Sequence, residues 1–282
     1  MDKNYLDRIN LRKHILKQQP DECAVANAAA QPAINELYTW LMGTYLPQRF
    51  PTMFELLPSK DGKPQQLSNL VTGDVHPVLP PSSGPTSTEA LRIIGETVEE
   101  DFMILMPSSD GRGYSLQGIV ACFPSSWSPK EKFGMTLREI HVPVPKYKEK
   151  LEMSLERFLG RVEPGTYVRR ANWTVTLDNA LWSANSYENH AFDEVVKAVD
   201  TIDPEIACVR SERQTVHRLP QSGAICFCFK SFIYPLTDIK AEGWGEELSQ
   251  AIDGLQKGSV PEIHHYKRAG VWGEAVKAYL RS

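Results

Sequence analysis

The sequence predicts an α+β fold: an antiparallel sheet with covering helices, an N-terminal helical extension and C-terminal helices. Three observations carry this reading. Five apolar or alternating runs lie between residues 98 and 236, joined by turn-forming residues. Helical periodicity precedes them, interrupts them once and follows them twice. Consecutive strands with short turns pair antiparallel, and such a sheet hides an apolar face under helix.

The elements follow in chain order. Residues 1–20 read as a frayed, partly helical arm. Residues 21–50 are alanine-rich, with Ile34, Leu37, Leu41 and Tyr45 at helical spacing, which predicts one helix running into Pro47. Residues 58–90 are dense in Pro, Gly and Ser and predict a long irregular connection wrapping the surface. VEEDFMILMP (98–107) and YSLQGIVACFP (114–124), separated by SSDGRG, predict a hairpin. IHVPVP (140–145) predicts a stiff extended segment, because its two prolines fix φ and oppose helix. A helix over 146–162 places Leu151, Leu155, Phe158 and Leu159 on one face. Strands are expected at 166–177, 206–220 and 223–236, then helices around 241–256 and 269–281. This divides the chain into a helical arm and wrapping segment (1–97), a core (98–238) and C-terminal helices packing on it (239–282). Two strands, a helical crossover and three strands is the order of a PAS domain, a small fold that holds ligands between sheet and helices.

Bulk properties narrow the function. The chain has 282 residues, 41% hydrophobic and 23% charged, with a net charge of −4. That balance offers no electrostatic reason for nucleic acid or an anionic membrane as partner. No apolar run approaches the roughly 20 residues that span a bilayer, and residues 1–20 lack a signal-peptide core, so cytoplasm is the expected location. Five cysteines in a chain of this length are no disulfide framework. Cys226 and Cys228 share a strand face and read as buried thiols in preference to metal ligands. No CxxC, GxGxxG, Walker or HExxH spacing occurs, so there is neither an iron–sulfur signature nor a visible nucleotide loop.

The chemistry concentrates in three places. In RSERQTVHRLP, alternation puts Arg210, Glu212, Gln214 and Val216 on one face and Ser211, Arg213, Thr215 and His217 on the other. This is either a solvated edge or a strand whose arginines face an anionic ligand. In VRRANWTV, Arg170 and Asn172 share one face and Trp173 takes the other, which suggests an anion near an aromatic-lined cavity. His141 stands between apolar residues and prolines. His14, His76, His190, His264 and His265 lie in the charged arm, the connection, a polar segment and a tail loop, and His217 on the charged strand. A histidine framed like His141 either donates to a carbonyl structurally or is aimed as a metal ligand.

The ordered set EEDFMIL, FPSSW, IHVPVPKY, RRANW and RSERQTVHRLPQSGAICF resembles the haem-dependent oxidative N-demethylase family from about residue 30 to the C-terminus. The resemblance implies a PAS-like fold binding haem b, with His141 as the axial iron ligand. It implies Arg170, Arg210, Arg213 and Arg218 as cations for the propionates and Trp173 in the cofactor-binding set, although alternation sends Arg210 and Arg213 opposite ways. It implies oxidation, by dioxygen and two electrons, of a carbon next to nitrogen in a small amine. Glu212 would steer the cationic amine, with Glu100 and Asp101 as the next carboxylates. Electrons would come from separate flavin and iron–sulfur proteins. The family reads IRTY where this chain has FKSF (229–232), so Lys230 replaces an arginine and the substrate does not carry over. The alternative within the same fold is a non-catalytic haem-binding PAS sensor. A scaffold for a different ligand, with His141 structural, is the third.

Overall fold

The computed structural model describes residues 1–60, 62, 64–81, 86–108, 111, 113–183 and 197–282. Its strands are β1 (Ala24–Ala26), β2 (Phe54–Leu57), β3 (Gln66–Asn69), β4 (Val75–Pro77), β5 (Asp101–Pro107), β6 (Tyr114–Val120), β7 (Val168–Thr176), β8 (Cys208–Arg218) and β9 (Ile225–Pro235). β1, β6, β5, β9, β8 and β7 make one sheet in that order; β2, β3 and β4 make a second. Every pairing is antiparallel. The five strands expected after residue 98 all form, and their order is second, first, fifth, fourth, third. The β5–β6 hairpin is as expected, although Ser109, Asp110 and Arg112 of its turn, like His190, lie outside the described residues.

Helices cover both faces of the large sheet, not one. Helices Tyr5–Gln18, Gln31–Trp40 and Thr86–Thr97 share a core with Phe102, Ile104, Cys226 and Cys228. On the opposite face, helix Glu152–Arg161 and the turn Leu137–Ile140 share a core with Leu105, Leu116, Ile225 and Phe229. A third core holds helices Gly245–Gly254 and Ala269–Arg281 against Val175 of β7. Both cysteine side chains of β9 lie on the first of these faces, buried and unbridged.

Four expectations are corrected. The arm is no frayed end, because helix Tyr5–Gln18 buries Arg8 and Arg12 along with Ile9 and Leu16. Arg12 is fully buried and donates to Asp101 Oδ1 (2.6 Å), the Gly95 carbonyl (2.7 Å) and the Glu100 carbonyl (3.0 Å). Asp101 in turn accepts the amides of Cys122 and Phe123 (2.8 and 2.9 Å). A helix whose inward face is cationic reads as solvated by pattern alone. Residues 21–50 are not one helix: a helical turn, Pro20–Cys23, and then β1 open the stretch, and after Gln31–Trp40 a π-helical turn, Leu41–Tyr45, carries the chain into Leu46–Arg49 through Pro47. The 58–90 connection contains β3, β4 and the start of helix Thr86–Thr97. Strands of three and four residues are too short to show a period. Finally, IHVPVP is a pair of tight turns. The Val144 amide reaches the His141 carbonyl (2.9 Å), and the Tyr147 amide reaches that of Val144 (3.2 Å). Pro145 and Lys146 occupy the second corner, with Lys146 at φ 57°. Proline does exclude helix there, but it serves turn corners as readily as extended chain.

Candidate functional site

His141 is positioned by a single helical turn. Thr136 caps Leu137–Ile140 through a capping box with Glu139, and His141 is its C-cap residue at φ −98°, ψ 7°. The backbone therefore returns the imidazole over its own turn, with Nδ1 2.7 Å from the Leu137 carbonyl. A carbonyl only accepts, so Nδ1 carries the proton and Nε2 keeps its lone pair. Burial lowers the pKa of His141, partly offset by that hydrogen bond, with Lys132 and Arg170 lowering it further. The ring is thus neutral at pH 7. Tyr147 stacks on it with centroids 4.4 Å apart and planes at 5°. The Tyr147 phenol is buried without a hydrogen-bond partner, and its pKa is pushed up to about 12, chiefly by burial. An open depression of about 550 Å³ lies along the turn, lined by His141, Tyr147, Arg138 and Glu152 among others. That is within the size range of small-molecule sites.

The sheet face on this side is fixed by register. Ile140, beside His141, packs in one core with Val216, Phe227, Trp127 and Phe158. Gln214 shares the face of Val216, and Arg170 pairs with Gln214 across β7–β8, as Asn172 pairs with Glu212. Arg170 and Glu212 therefore lie on the His141 side of the sheet. Glu212 accepts from Gln214 Nε2 (2.9 Å). Lys267 reaches the same edge, donating to Asn172 Oδ1 (3.0 Å) and to the Trp173 carbonyl. Burial lowers the pKa of Lys267 against the opposing pull of Glu212.

The four arginines have different surroundings. Arg170 is exposed and makes no hydrogen bond among the described residues. Arg210 is buried and donates to the carbonyls of Phe123, Pro124, Ala180 and Leu181, tying two loops together. Arg218 donates to the carbonyls of Leu159, Val162 and Gly223 and to the Tyr114 hydroxyl, so it fastens the end of helix Glu152–Arg161 to the sheet. Arg213 points to the other face and pairs with Glu100 at 2.8 Å. Trp173 pairs in register with Ser211, on that other face, and joins the core of the C-terminal helices. His217 also lies there, beside Trp40 and Tyr167, with its Nδ1 buried and without a partner. The runner-up carboxylates are occupied, Glu100 by Arg213 and Asp101 by Arg12 and two amides.

The structure thus brings His141, Arg170, Glu212 and Gln214 to one side of the sheet and leaves Arg213, Trp173 and His217 on the other. Sequence reasoning missed Tyr147 and Lys267. Tyr147 carried a signal, as the aromatic that ends IHVPVPKY. Lys267 carried none, because only the return of the C-terminal segment to β7 brings it near Glu212.

These residues fit a haem. One neutral imidazole offers a lone pair, Tyr147, Val142, Val144 and two prolines line the depression beside it together with charged side chains, and an uncommitted guanidinium stands on the same side of the sheet. Among the described residues no cluster of three or more His, Cys, Asp and Glu could hold a metal ion by itself. No described helix is long and apolar enough to cross a membrane. The family described as haem-dependent oxidative N-demethylase, alpha subunit-like, matches residues 1–277. The match spans nearly the whole chain, and the chain belongs to that family.

Proposed function

We propose that this chain binds haem b through Nε2 of His141 and oxidatively N-dealkylates a small amine. The observation that carries the reading is the Leu137 carbonyl on Nδ1, which fixes the imidazole in the tautomer that can ligate iron. When bound, the haem supplies dioxygen activation. The strand order of the core, second, first, fifth, fourth, third, supports a PAS-like unit over 98–238 with the flanking segments packed on it.

The chain's own residues do the rest. Tyr147 holds the imidazole plane by stacking. Arg170 is the cation free to meet a propionate, whereas Arg210 and Arg218 act by fastening loops and helix around the site. Glu212, kept in place by Gln214, receives the ammonium group of the substrate and orients its N-alkyl carbon. Overall, one dioxygen, two electrons and two protons convert an N-methyl amine into the dealkylated amine, formaldehyde and water. The chain has no cysteine-cluster or nucleotide-loop motif, so a separate reductase delivers the electrons. The protein works in the cytoplasm in this reading.

The test is formaldehyde release from a panel of secondary and tertiary methylamines by the haem-loaded chain with a chemical reductant. Release from wild type, with a raised KM in Glu212→Gln at an unchanged Soret spectrum, is expected. Haem binding with no turnover across the panel would replace the enzyme by a sensor.

A further inference from the structure

Two opposite charges stand half-buried at the β7–β8 edge without pairing with each other. Glu212 accepts from the Gln214 amide at 2.9 Å. Lys267 donates to Asn172 Oδ1 at 3.0 Å and to the Trp173 carbonyl. Asn172 and Glu212 are direct cross-strand partners, so carboxylate and ammonium belong to one patch. Among the described residues neither joins an ion pair, yet each lies in the field of the other: burial lowers the pKa of Lys267, and Glu212 opposes that fall. Opposite charges removed from water ordinarily close on each other. Here each is satisfied by a neutral amide instead, which keeps the two apart.

The balance of charge on the patch decides what it suits. Arg170 shares the face, since its pair with Gln214 lies next to the pair of Asn172 with Glu212. Beyond the effect of burial, the charge of Arg170 lowers the pKa of both His141 and Lys267, so it lies within reach of both. One carboxylate therefore stands among two cations. A simple alkylammonium gains Glu212 but adds a third positive charge beside Lys267 and Arg170. A molecule that carries ammonium and carboxylate close together adds no net charge and meets a counter-charge at each end. With Arg170 given to a haem propionate, Lys267 remains for the carboxylate.

We propose that the substrate of this site is an N-methyl amino acid, its ammonium held by Glu212 and its carboxylate by Lys267. The inference rests on the N-dealkylation reading and narrows it from amines to zwitterions. With N-methylglycine the bond broken is that between nitrogen and the methyl carbon. One dioxygen, two electrons from the external reductant and two protons convert it into glycine, formaldehyde and water.

The probes are N-methylglycine, N-methylglycinamide and dimethylamine; the amide keeps the methylammonium and lacks only the carboxylate. Calorimetry on the haem-free and haem-loaded chain is expected to give N-methylglycine an affinity at least about tenfold above that of the other two. Lys267→Gln can still donate to Asn172 and the Trp173 carbonyl but carries no charge. It is expected to lose that preference, with an unchanged circular dichroism spectrum and melting temperature, and Lys267→Arg to retain most of it. Glu212→Gln weakens all three probes. In the haem-loaded chain with a chemical reductant, kcat/KM for formaldehyde release follows the same order as affinity. Equal affinity for N-methylglycine and its amide, a preference that survives Lys267→Gln, or no binding of N-methylglycine to either form overturns the proposal. Preferential binding of N-methylglycine without turnover of any probe upholds the ligand class and overturns the enzymatic reading. Turnover without that preference does the reverse.

Discussion

Replacing Arg12 by Met tests how the N-terminal helix is held to the sheet. Arg12 is fully buried and donates three hydrogen bonds, one of them to the Asp101 carboxylate at 2.6 Å, and its guanidinium lies 5.3 Å from the Phe123 ring centre. Methionine keeps the bulk and the apolar contact but removes the cation. Asp101 then remains buried with two amide donors and no hydrogen-bonded counter-charge, and the Gly95 and Glu100 carbonyls lose their donor. Breaking a buried pair from one side costs about 3–5 kcal/mol. With a urea m-value of about 3 kcal/mol/M, the unfolding midpoint falls by about 1–1.7 M. The assay is urea denaturation followed by far-ultraviolet circular dichroism, repeated on Arg12→Met/Asp101→Leu. The double variant recovers part of the loss, because the cost lies in the uncompensated charge and not in a missing attraction. A single variant within about 1 kcal/mol of wild type would refute the reasoning, since the ionic contact would then be incidental to docking.

Three further outcomes are expected. Arg218→Met releases the carbonyls of Leu159 and Val162 and costs about 2–3 kcal/mol; limited proteolysis should cut between residues 146 and 165 sooner than in wild type. Gly95→Ala destabilises by about 1–3 kcal/mol by thermal melt, although alanine favours helix, because its Cβ would stand 2.7 Å from Val120 Cγ2 and 3.1 Å from Leu16 Cδ1. His76, His141 and His217 all have pKa values lowered from 6.5, burial being the largest cause. The unfolded chain therefore binds more protons below about pH 6.5, and stability falls as pH drops through that value. The urea midpoint should be lower at about pH 5.5 than at about pH 7.5, and His217→Phe should shrink the difference.

Much of the sheet was legible in the sequence because its strands are long and apolar enough to show a period. β8 even declared its two faces, and register then sent Arg210 and Arg213 to opposite sides. The small sheet was illegible because Gln66–Asn69 and Val75–Pro77 are short and polar. Helix Tyr5–Gln18 was misread because its buried cations find partners some 90 residues away, which no local pattern encodes. At the site, the proline pair around His141 announced rigidity, but its turn geometry depends on which amides close on which carbonyls. The same limit hid the difference between Arg170 and Arg218, identical by type and distinct by what each touches.

The central claim is that His141 ligates haem, and the direct measurement is the ultraviolet–visible spectrum of wild type beside His141→Ala, each reconstituted with haem. A Soret band that shifts on reduction and on carbon monoxide binding, present in wild type and lost or displaced in the variant, is the predicted result. Identical spectra in both proteins would move the ligand away from His141. The absence of haem in wild type would return the IHVPVP turn to a structural role.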